Sequence, residues 1–421
     1  MELLQRHLLP LGQEFLNTFP AVVIAGARQV GKSTFAAQLA SNRPHRTFSL
    51  DDEATRTAIS RDAQAFVTAH PQQMLVLDEI QRVPALLLAI KATIDRDRRP
   101  GRFLLTGSSD LLRSPRTPDS LAGRAATLHL HGLSQGELAG HRDDFASWVR
   151  ALPPTPQDFR SRWNRRDYVA AIAAGGYPEL GTLSQRTRHH WIDSYIERIL
   201  TRDLTDVSPT LSSERLGAVL RLVAANQSGE LVQARIADQL GIPKSSIANY
   251  LGALRTLFLT TDVGPWGPNL TKREVGRRKL SVSDTALALR LSRQHPDALV
   301  DPLAAERLGP HLEALAALEL RKQQGWSGEE FDLRHFRNRD GLEVDLVLEF
   351  ADGGVFLLEI KATETYRSAH FSGIHALAKR LGPRFLGGAV LGLSQESHQI
   401  AERMWALPLS ILWDASAELA G

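Results

Sequence analysis

Eight consecutive residues near the amino terminus have the types and the spacing of a loop that binds phosphate groups. They are Gly26, Ala27, Arg28, Gln29, Val30, Gly31, Lys32 and Ser33, and Thr34 follows them. The glycines let successive backbone N–H groups turn inward around phosphate oxygens, Lys32 can reach the β and γ phosphates, and the Ser33 hydroxyl can bind Mg²⁺. Residues 26–34 are therefore predicted to bind a nucleoside triphosphate, with ATP and Mg²⁺ as the expected ligands.

Two carboxylates follow a second apolar segment at a distance that suits the same chemistry. Residues 74–77 are Met, Leu, Val and Leu, and Asp78 and Glu79 come directly after them. A buried strand that ends in two acids predicts that Asp78 supports Mg²⁺ and that Glu79 polarises the attacking water. A third apolar run, 103–105, leads into Thr-Gly-Ser-Ser, where Ser108 is predicted to sense the γ phosphate. These residue types together predict ATP hydrolysis.

Short parallel strands are the elements that must bring these residues together. The apolar runs 21–25, 74–77 and 103–105 alternate with helical segments, of which 34–40 is the first. In a parallel sheet the ligand binds at the carboxyl ends of the strands, and the positive amino end of the helix after the loop faces the phosphates. The pattern predicts an α/β fold with a P-loop at one edge of a parallel sheet.

One arginine, Arg124, ends the segment Ser-Leu-Ala-Gly-Arg at 120–124. No predicted strand places it in the nucleotide site of its own chain. An arginine that reaches the nucleotide of a neighbouring subunit can accelerate hydrolysis by about 10³- to 10⁵-fold. Arg124 is therefore a candidate catalytic residue that acts between subunits, and an ordinary surface arginine is the alternative.

These motifs resemble a bacterial and archaeal family of AAA-superfamily ATPases that carry a C-terminal domain of unknown function. The resemblance covers nearly the whole chain and rests on residues 26–33, 77–84, 105–109, 120–124, 175–179 and 195–204. It implies an AAA-type core, Arg124 as a finger that acts in trans, and a homo-oligomer, for which a hexameric ring is the candidate assembly. Ala27 departs from the family, in which proline is common, but its side chain is not needed for a phosphate contact.

Composition narrows the class of protein. The 421 residues suit several domains, and 50 Lys and Arg against 47 Asp and Glu give a net charge of only +3, so any nucleic-acid contact must come from local clusters. No cysteine is present, which excludes disulfides and Cys-based zinc sites. The chain has no apolar run long enough for a membrane helix and no signal-like start, so a cytoplasmic protein without a membrane partner is expected.

Proline-rich and charged segments divide the chain into four predicted domains. The clearest boundary is Leu152–Pro156, which has three prolines in four positions. We predict an AAA-type ATPase domain at 1–150, a helical lid and connector at 151–208, a winged helix domain at 209–300 and a restriction-endonuclease-like domain at 301–421.

The third predicted domain has the pattern of a winged helix-turn-helix. Helices are predicted at 213–225, at 234–240 and from Pro243 onward, and Gly241 ends the second of them. The polar face of the third helix and a basic stretch beyond it are suited to phosphates or base edges. The predicted DNA-binding residues are Lys244, Ser245, Ser246, Asn249, Lys272, Arg273, Arg277, Arg278 and Lys279. Because winged helices also dock proteins, a protein-binding surface is the alternative.

The fourth predicted domain contains a hairpin with converging charges. Residues 342–349 and 355–361 read as two strands joined by a turn at 352–354. This pattern resembles the nuclease signature of Asp followed by Glu-x-Lys, and it predicts a metal-assisted cleavage site built from Asp345, Glu359, Lys361 and, from the preceding helix, Glu313. A wet polar face, or a nuclease fold that only binds DNA, is the alternative.

The ATPase motifs, the winged helix and the nuclease-like domain together predict Mg²⁺-dependent ATP hydrolysis coupled to remodelling of DNA or translocation along it. The order of domains resembles Holliday-junction branch-migration motors and origin-binding ATPases, so duplex or branched DNA is the expected partner. Two alternatives remain open: a nucleotide-switched regulatory or binding protein, and an ATP-regulated DNA nuclease.

Overall fold

Five short apolar segments form the first sheet of the protein. The computed structural model describes residues 4–108, 121–151, 159–267, 273 and 276–419. The strands of the first sheet are β1 (Ala21–Ala25), β2 (His45–Ser49), β3 (Met74–Asp78), β4 (Phe103–Gly107) and β5 (Ala125–His129). They are all parallel and lie in the order β2-β3-β4-β1-β5. β1, β3 and β4 occupy the centre, as their almost continuous apolar runs predict for strands covered on both faces.

Helices cover both faces of this sheet. They are α1 (Leu9–Thr18), α2 (Lys32–Ala40), α3 (Glu53–Arg61), α4 (Ala63–Thr68) and α5 (Ala85–Arg96). One face packs with α1, α2 and the following helical region in a single apolar core, and the other packs with α3, α4 and α5 in a second core. The parallel α/β core predicted from the sequence is present.

A helical region follows the first sheet. Its helices are α6 (Gln135–Ala139), α7 (Phe145–Ala151), α8 (Arg165–Ala174), α9 (Gln185–Arg198), α10 (Leu204–Val207) and α11 (Ser213–Ala225). A π-helical turn, Ile199–Asp203, joins α9 to α10 without a break. The proline-rich boundary predicted at 153–156 lies outside the described residues.

The segment predicted as a helix-turn-helix folds into helices and a small antiparallel sheet. After α11 come β6 (Gly229–Glu230), α12 (Gln233–Leu240), α13 (Lys244–Thr256), β7 (Thr260–Pro265) and β8 (Lys279–Val282). β8 lies between β6 and β7 and is antiparallel to both. The apolar stripe predicted for α13 is buried: Ile247, Tyr250, Leu251, Leu254 and Leu257.

A second, larger sheet extends through the remainder of the chain. The later helices are α14 (Thr285–Leu291), α15 (Pro296–Val300), α16 (Ala305–Gln323), α17 (Ser372–Leu381) and α18 (Ile411–Leu419). The later strands are β9 (Phe331–Arg337), β10 (Glu343–Phe350), β11 (Val355–Ile360), β12 (Phe385–Gly392), β13 (His398–Ala401) and β14 (Met404–Pro408). Nine strands run in the order β13-β14-β12-β11-β10-β9-β7-β8-β6.

This sheet crosses the boundary predicted between the third and fourth domains. β7 pairs in parallel with β9 through Gly264 with Arg334 and Pro265 with His335. The hairpin predicted in the fourth domain is present, since β10 and β11 are antiparallel with Leu346 opposite Leu358. The small antiparallel sheet and the C-terminal strands therefore form one continuous surface, in which β8 stays close to the charged end of the hairpin.

Within the described residues, no helix has the length and apolar character needed to cross a membrane.

Candidate functional site

The predicted phosphate loop lies between the carboxyl end of β1 and the amino end of α2. Gly31 has a φ of 94°, in the left-handed region that favours glycine. At Gly26 a Cβ atom would lie 2.2 Å from the carbonyl oxygen of Leu130, so only glycine fits there. Within this loop Ala27 and Val30 are buried, whereas Gln29, Ser33 and Thr34 are exposed.

The side chain of Lys32 folds back onto the loop. Its Nζ donates hydrogen bonds to the carbonyl oxygens of Gly26 at 3.1 Å and Ala27 at 3.0 Å. Burial lowers the pKa of Lys32, and the nearby carboxylates of Glu79 and Asp78 partly oppose this shift. Phosphate oxygens would offer this buried ammonium group a charged acceptor in place of two neutral carbonyls.

The two residues predicted to hold Mg²⁺ are in contact. Ser33 Oγ donates to Asp78 Oδ2 at 2.9 Å. The Thr106 hydroxyl donates to the other carboxylate oxygen, Asp78 Oδ1. Thr106 was not predicted as a site residue, although it stands in the same strand-end motif as Ser108. A hydroxyl and a carboxylate oxygen are ligand types that Mg²⁺ prefers, so the donor set fits that ion.

Glu79 and Ser108, the predicted water-polarising and phosphate-sensing residues, also meet. Ser108 Oγ donates to Glu79 Oε2 at 2.9 Å, and the Gln81 amide donates to the same carboxylate oxygen and to Ser108 Oγ. Glu79 has a φ of 58°, an uncommon conformation for a residue with a side chain. Such conformations cost about 1 to 3 kcal/mol and concentrate at functional sites. Ser109 lies outside the described residues.

Arg124 lies at the amino-terminal ends of the strands of the first sheet, whereas the phosphate loop of its own chain lies at their carboxyl ends. Its carbonyl accepts a hydrogen bond from the amide of Ala21, the first residue of β1, whereas the loop follows Ala25. The length of β1 separates these two ends of the sheet by about 15 Å. The Arg124 guanidinium donates to both carboxylate oxygens of Asp95 on α5, at 2.7 and 3.1 Å. The structure therefore does not bring Arg124 into the site of its own chain.

The helical region adds residues to the phosphate loop that were not predicted as site residues. Arg28 Nη1 donates to Asp203 at the end of the π-helical turn, 3.1 Å from Oδ1 and 3.4 Å from Oδ2. The Tyr195 hydroxyl donates to the carbonyl of Arg28 at 3.2 Å and is 2.8 Å from the hydroxyl of Tyr177. Tyr177, Tyr195 and Asp203 all lie in motifs of the family resemblance, 175–179 and 195–204. That resemblance was the sequence signal that could have identified them as site residues.

The predicted DNA-binding residues divide into two groups. On α13, Lys244, Ser245 and Asn249 are exposed and Ser246 is half-buried, so this helix presents a polar face. Lys272 lies outside the described residues.

The basic stretch beyond β7 is mostly engaged within the chain. Arg273 forms an ion pair with Glu349, at 2.7 Å between Nη1 and Oε2, and its guanidinium lies over the ring of Trp266. Arg278 forms an ion pair with Asp262 and remains partly exposed. Among the described residues of this stretch, Arg277 has the most exposed side chain, at 64%, and its Nη1 lies 3.7 Å from Glu230 Oε2.

Lys279 corrects the prediction of an exposed basic wing. Its side chain is only 5% exposed, so it is not available to DNA. The reason is that β8 lies inside the continuous sheet, which directs Lys279 toward the carboxylates of the C-terminal region. The part of the predicted wing that remains at the surface is therefore smaller than its sequence suggested.

The four residues predicted as a nuclease site do lie near one another. Lys279 Nζ is 2.8 Å from Glu313, 2.8 Å from Glu343 and 3.2 Å from Asp345. Lys361 Nζ donates to Glu359 Oε1 at 2.6 Å, and the buried Glu359 Oε2 has no hydrogen-bond partner among the residues that the structure describes. These six residues are called the carboxylate cluster below.

The charges in the carboxylate cluster do not balance. Its four carboxylates face two lysines, and burial raises the pKa of Glu359 to about 7, with the neighbouring Asp345 adding to the shift. Burial and Asp345 also raise the pKa of Glu313 well above its ordinary value. Although burial alone would lower it, the pKa of Lys279 is raised by Glu313, Asp345 and Glu343. Among the described residues no group of three or more His, Cys, Asp or Glu is arranged to hold a metal ion, and at this site Lys279 supplies the cation.

Replacing Lys279 with methionine is expected to destabilise the protein by about 3 to 5 kcal/mol at pH 8, because the buried Asp345 and the partly buried Glu313 and Glu343 lose their cation. The free energy of unfolding, measured by urea denaturation, checks this. The loss should be smaller at pH 5. Folding raises the pKa of Glu359 to about 7, so the stability that this group contributes is present below its unfolded pKa and is lost as the pH rises through 7. The charge of Lys279 opposes this shift, so the loss of Lys279 costs most above pH 7, where Glu359 is ionised. Lys379→Met, at an exposed position on α17, is the control, and equal unfolding free energies for the two variants would contradict the prediction.

Three family models match successive parts of the chain. Residues 18–139 match an AAA domain (AAA_14), 165–298 match a domain of unknown function (DUF8612), and 308–412 match another domain of unknown function (DUF4143).

Similar proteins of known sequence come from mycobacteria. The uncharacterized protein Rv2008c of Mycobacterium tuberculosis is 28% identical over 361 residues, which are 83% of this chain and 72% of that protein. The uncharacterized protein Mb2031c of Mycobacterium bovis matches with the same identity and coverage.

Among solved structures, the Walker-type ATPase PABY2304 of Pyrococcus abyssi aligns with a TM-score of 0.44 and 15% identity, over 69% of this chain and 96% of that one. A RuvB variant of Thermotoga maritima aligns with a TM-score of 0.28 and 17% identity, over 60% of this chain and 86% of that one.

The domain match and the local geometry point to the same chemistry. The matched region contains the phosphate loop, Asp78 at the end of β3 and Glu79 after it, and Thr106 within β4 and Ser108 after it. Residues 18–139 therefore match an AAA domain and carry the residue types of a P-loop nucleotide site at the ends of their strands.

Proposed function

We propose that this protein hydrolyses ATP with Mg²⁺ and uses the reaction to remodel DNA or to move along it, with branch migration of Holliday junctions as the specific form of that activity. The observation that carries the ATPase part is the contact chain at the strand ends, where Ser33 bonds Asp78 and Ser108 bonds Glu79. These four side chains lie at one edge of one sheet, beside the loop that would hold the triphosphate.

Each side chain has a separate task in the proposed hydrolysis. Ser33 and Asp78 would hold Mg²⁺, which when bound neutralises charge on the β and γ phosphates. Lys32 exchanges the loop carbonyls for phosphate oxygens. Glu79 orients the attacking water, and Ser108 holds the Glu79 carboxylate in place through the 2.9 Å hydrogen bond.

Arg124 is proposed to complete the site of a neighbouring subunit in a homo-oligomeric ring. Its position at the far edge of the sheet supports a role between subunits, since it cannot reach the loop of its own chain without large rearrangement. In the single chain Asp95 neutralises its charge. Assembly would replace Asp95 with the triphosphate of the neighbour, where the guanidinium stabilises charge in the transition state.

The region from α11 to β8 is proposed to be a winged helix that contacts DNA through α13. Its element order of helix, strand, two helices and two strands supports this assignment, as does the exposed polar face of α13. Because much of the basic stretch is paired within the chain, we assign the contact to Lys244, Ser245, Ser246 and Asn249. Arg277 and Arg278 are added because their side chains stay exposed although they pair with Glu230 and Asp262.

The test is the ATPase rate measured with single-stranded, duplex and four-way junction DNA. We expect DNA to raise the rate, and junction DNA to raise it most. Lys244→Glu should weaken DNA binding at every sequence and reduce the slope of log affinity against log salt by about one, because one phosphate contact is lost. Lys379→Glu, which changes an exposed lysine on α17, is the matched control.

An ATPase rate that no form of DNA changes would contradict the motor proposal. It would leave the nucleotide-switched regulatory or binding protein, in which slow hydrolysis sets the affinity for a protein partner.

A second candidate function is an ATP-regulated DNA nuclease, favoured by the meeting of Glu313, Asp345, Glu359 and Lys361 in the carboxylate cluster. It requires Mg²⁺-dependent cutting that is lost in Lys361→Ala. Cutting by wild-type protein that persists in this variant, or no cutting of any DNA form, would contradict it.

A further inference from the structure

We propose that Asp203 is a positioning residue of the nucleotide site, which holds Arg28 away from the triphosphate and releases it when ATP binds, so that the helical region senses the nucleotide. This inference rests on the proposed binding and hydrolysis of ATP, and it does not depend on DNA.

The first observation is that the helical region holds the phosphate loop at a single residue by two contacts. The Arg28 side chain is paired with Asp203, and each side chain is only 15% exposed. The backbone carbonyl of Arg28 accepts the Tyr195 hydroxyl at 3.2 Å. Both partners lie on one continuous helical rod, α9 followed by the π-helical turn. A movement of Arg28 toward a phosphate would therefore break or stretch a contact with this rod.

The second observation is the π-helical turn itself. Ile199–Asp203 forms this turn between α9 and α10, and Asp203 is its last residue. A π-turn adds one residue, so every later side chain is rotated by about 100° relative to an uninterrupted α-helix. The extra residue thus decides which side chain faces Arg28. Single π-turns are rare and are found frequently at functional sites.

The third observation is the charge around Arg28. Asp203 acts electrostatically on Lys32, and Glu79 acts on Asp203, so this acid of the helical region belongs to the same charged site as the loop and the strand ends. Burial raises the pKa of Asp203 and the Arg28 guanidinium opposes the shift. A triphosphate brings further negative charge to this site.

Competition for Arg28 follows from these observations. A guanidinium group binds phosphate oxygens through its planar set of donors, as well as it binds a carboxylate. The triphosphate and Asp203 are both anions within reach of one arginine, and they repel each other. Occupation of the loop should therefore weaken the Arg28–Asp203 pair and loosen the π-helical turn, which leads directly into α10 and α11.

The experiment compares ATP binding and hydrogen exchange in wild-type protein, Asp203→Asn and Asp203→Glu, with Asp206→Asn as the control at an exposed acid of α10. Asp203→Asn keeps the shape but frees Arg28 and removes one repelling charge. We expect it to bind ATP about tenfold more tightly, the size of one charged hydrogen bond. Asp203→Glu should behave more like wild type.

Two further readouts separate positioning from a structural role. In an Arg28→Gln background, Asp203→Asn should lose most of its effect, since Asp203 is proposed to act through Arg28. ATP should raise amide hydrogen exchange in residues 199–207 of wild-type protein, and Asp203→Asn should show raised exchange there without nucleotide.

Unchanged ATP affinity and exchange in Asp203→Asn, or an effect of the same size in the Arg28→Gln background, would overturn the inference while wild-type protein still binds ATP. Failure of the wild-type protein to bind ATP would overturn the ATPase proposal itself, and this inference with it.

Discussion

Arg124→Ala is expected to lower the rate of ATP hydrolysis by about 10³-fold or more in the assembled protein, while ATP binding changes little. The reason is its place in the fold: Arg124 lies at the end of the sheet opposite its own phosphate loop, and we propose that its charge serves the nucleotide of a neighbouring subunit. Single-turnover hydrolysis, measured at protein concentrations above assembly, gives the rate apart from binding. Arg96→Ala, which removes an exposed arginine from the last turn of the same helix as Asp95, is the matched control.

Mixing of subunits gives the sharper version of this experiment. Arg124→Ala subunits keep an intact phosphate loop, and Lys32→Ala subunits keep an intact arginine. If neighbouring subunits share each site, mixing these two inactive variants should restore part of the ATPase activity. Full activity of Arg124→Ala alone would refute the shared site, as would a mixture with no activity although the subunits assemble together.

Asp95→Ala distinguishes catalysis from stability at the same position. If the Arg124–Asp95 pair is only structural, Arg124→Ala and Asp95→Ala should lower the free energy of unfolding to a similar extent. Both variants should then leave the rate of hydrolysis per folded molecule unchanged. If Arg124 acts on the neighbour's nucleotide, Asp95→Ala should keep hydrolysis because it leaves the arginine in place and unpaired.

Glu79→Gln is expected to lower hydrolysis by about 10²- to 10⁴-fold and to retain bound ATP, because the amide keeps the shape but no longer accepts a proton from water. The hydroxyl of Ser108 and the amide of Gln81 both donate to the Glu79 carboxylate, so the substituted side chain has partners that can keep it in place. Filter binding with labelled ATP, followed over time, measures both retention and turnover.

Two further variants serve as controls for the Glu79→Gln prediction. Lys32→Ala should lose ATP binding, since it removes the buried ammonium group of the loop. Glu53→Gln, at an exposed acid in the first turn of α3, should hydrolyse ATP like the wild-type protein. Normal turnover by Glu79→Gln would remove Glu79 from its proposed role and leave the assignment of the attacking water without a residue.

Local motifs determined much of this protein in advance. Five residues of apolar strand, a glycine-containing loop and a helix stand next to one another in the sequence, so their arrangement follows from neighbours along the chain. The same holds for the acids at the end of β3 and for α13, whose apolar stripe repeats at helical spacing. The hairpin of β10 and β11 was also predictable, since two apolar runs flank a turn that contains Asp352, Gly353 and Gly354.

Contacts between distant residues were decided only by the tertiary structure. Asp203 lies 175 residues from Arg28, and a π-helical turn, which has no sequence period of its own, directs it there. Lys279 belongs to a stretch whose sequence is typical of an exposed basic segment. The pairing of β7 with β9 nevertheless places it against the carboxylates of Glu313 and Asp345, which are 34 and 66 residues away in the chain. Charge and periodicity report which face of an element is polar. They do not report which other element will cover that face. Burial depends on how segments that are far apart in the chain pack together, and a local sequence pattern contains no information about that packing.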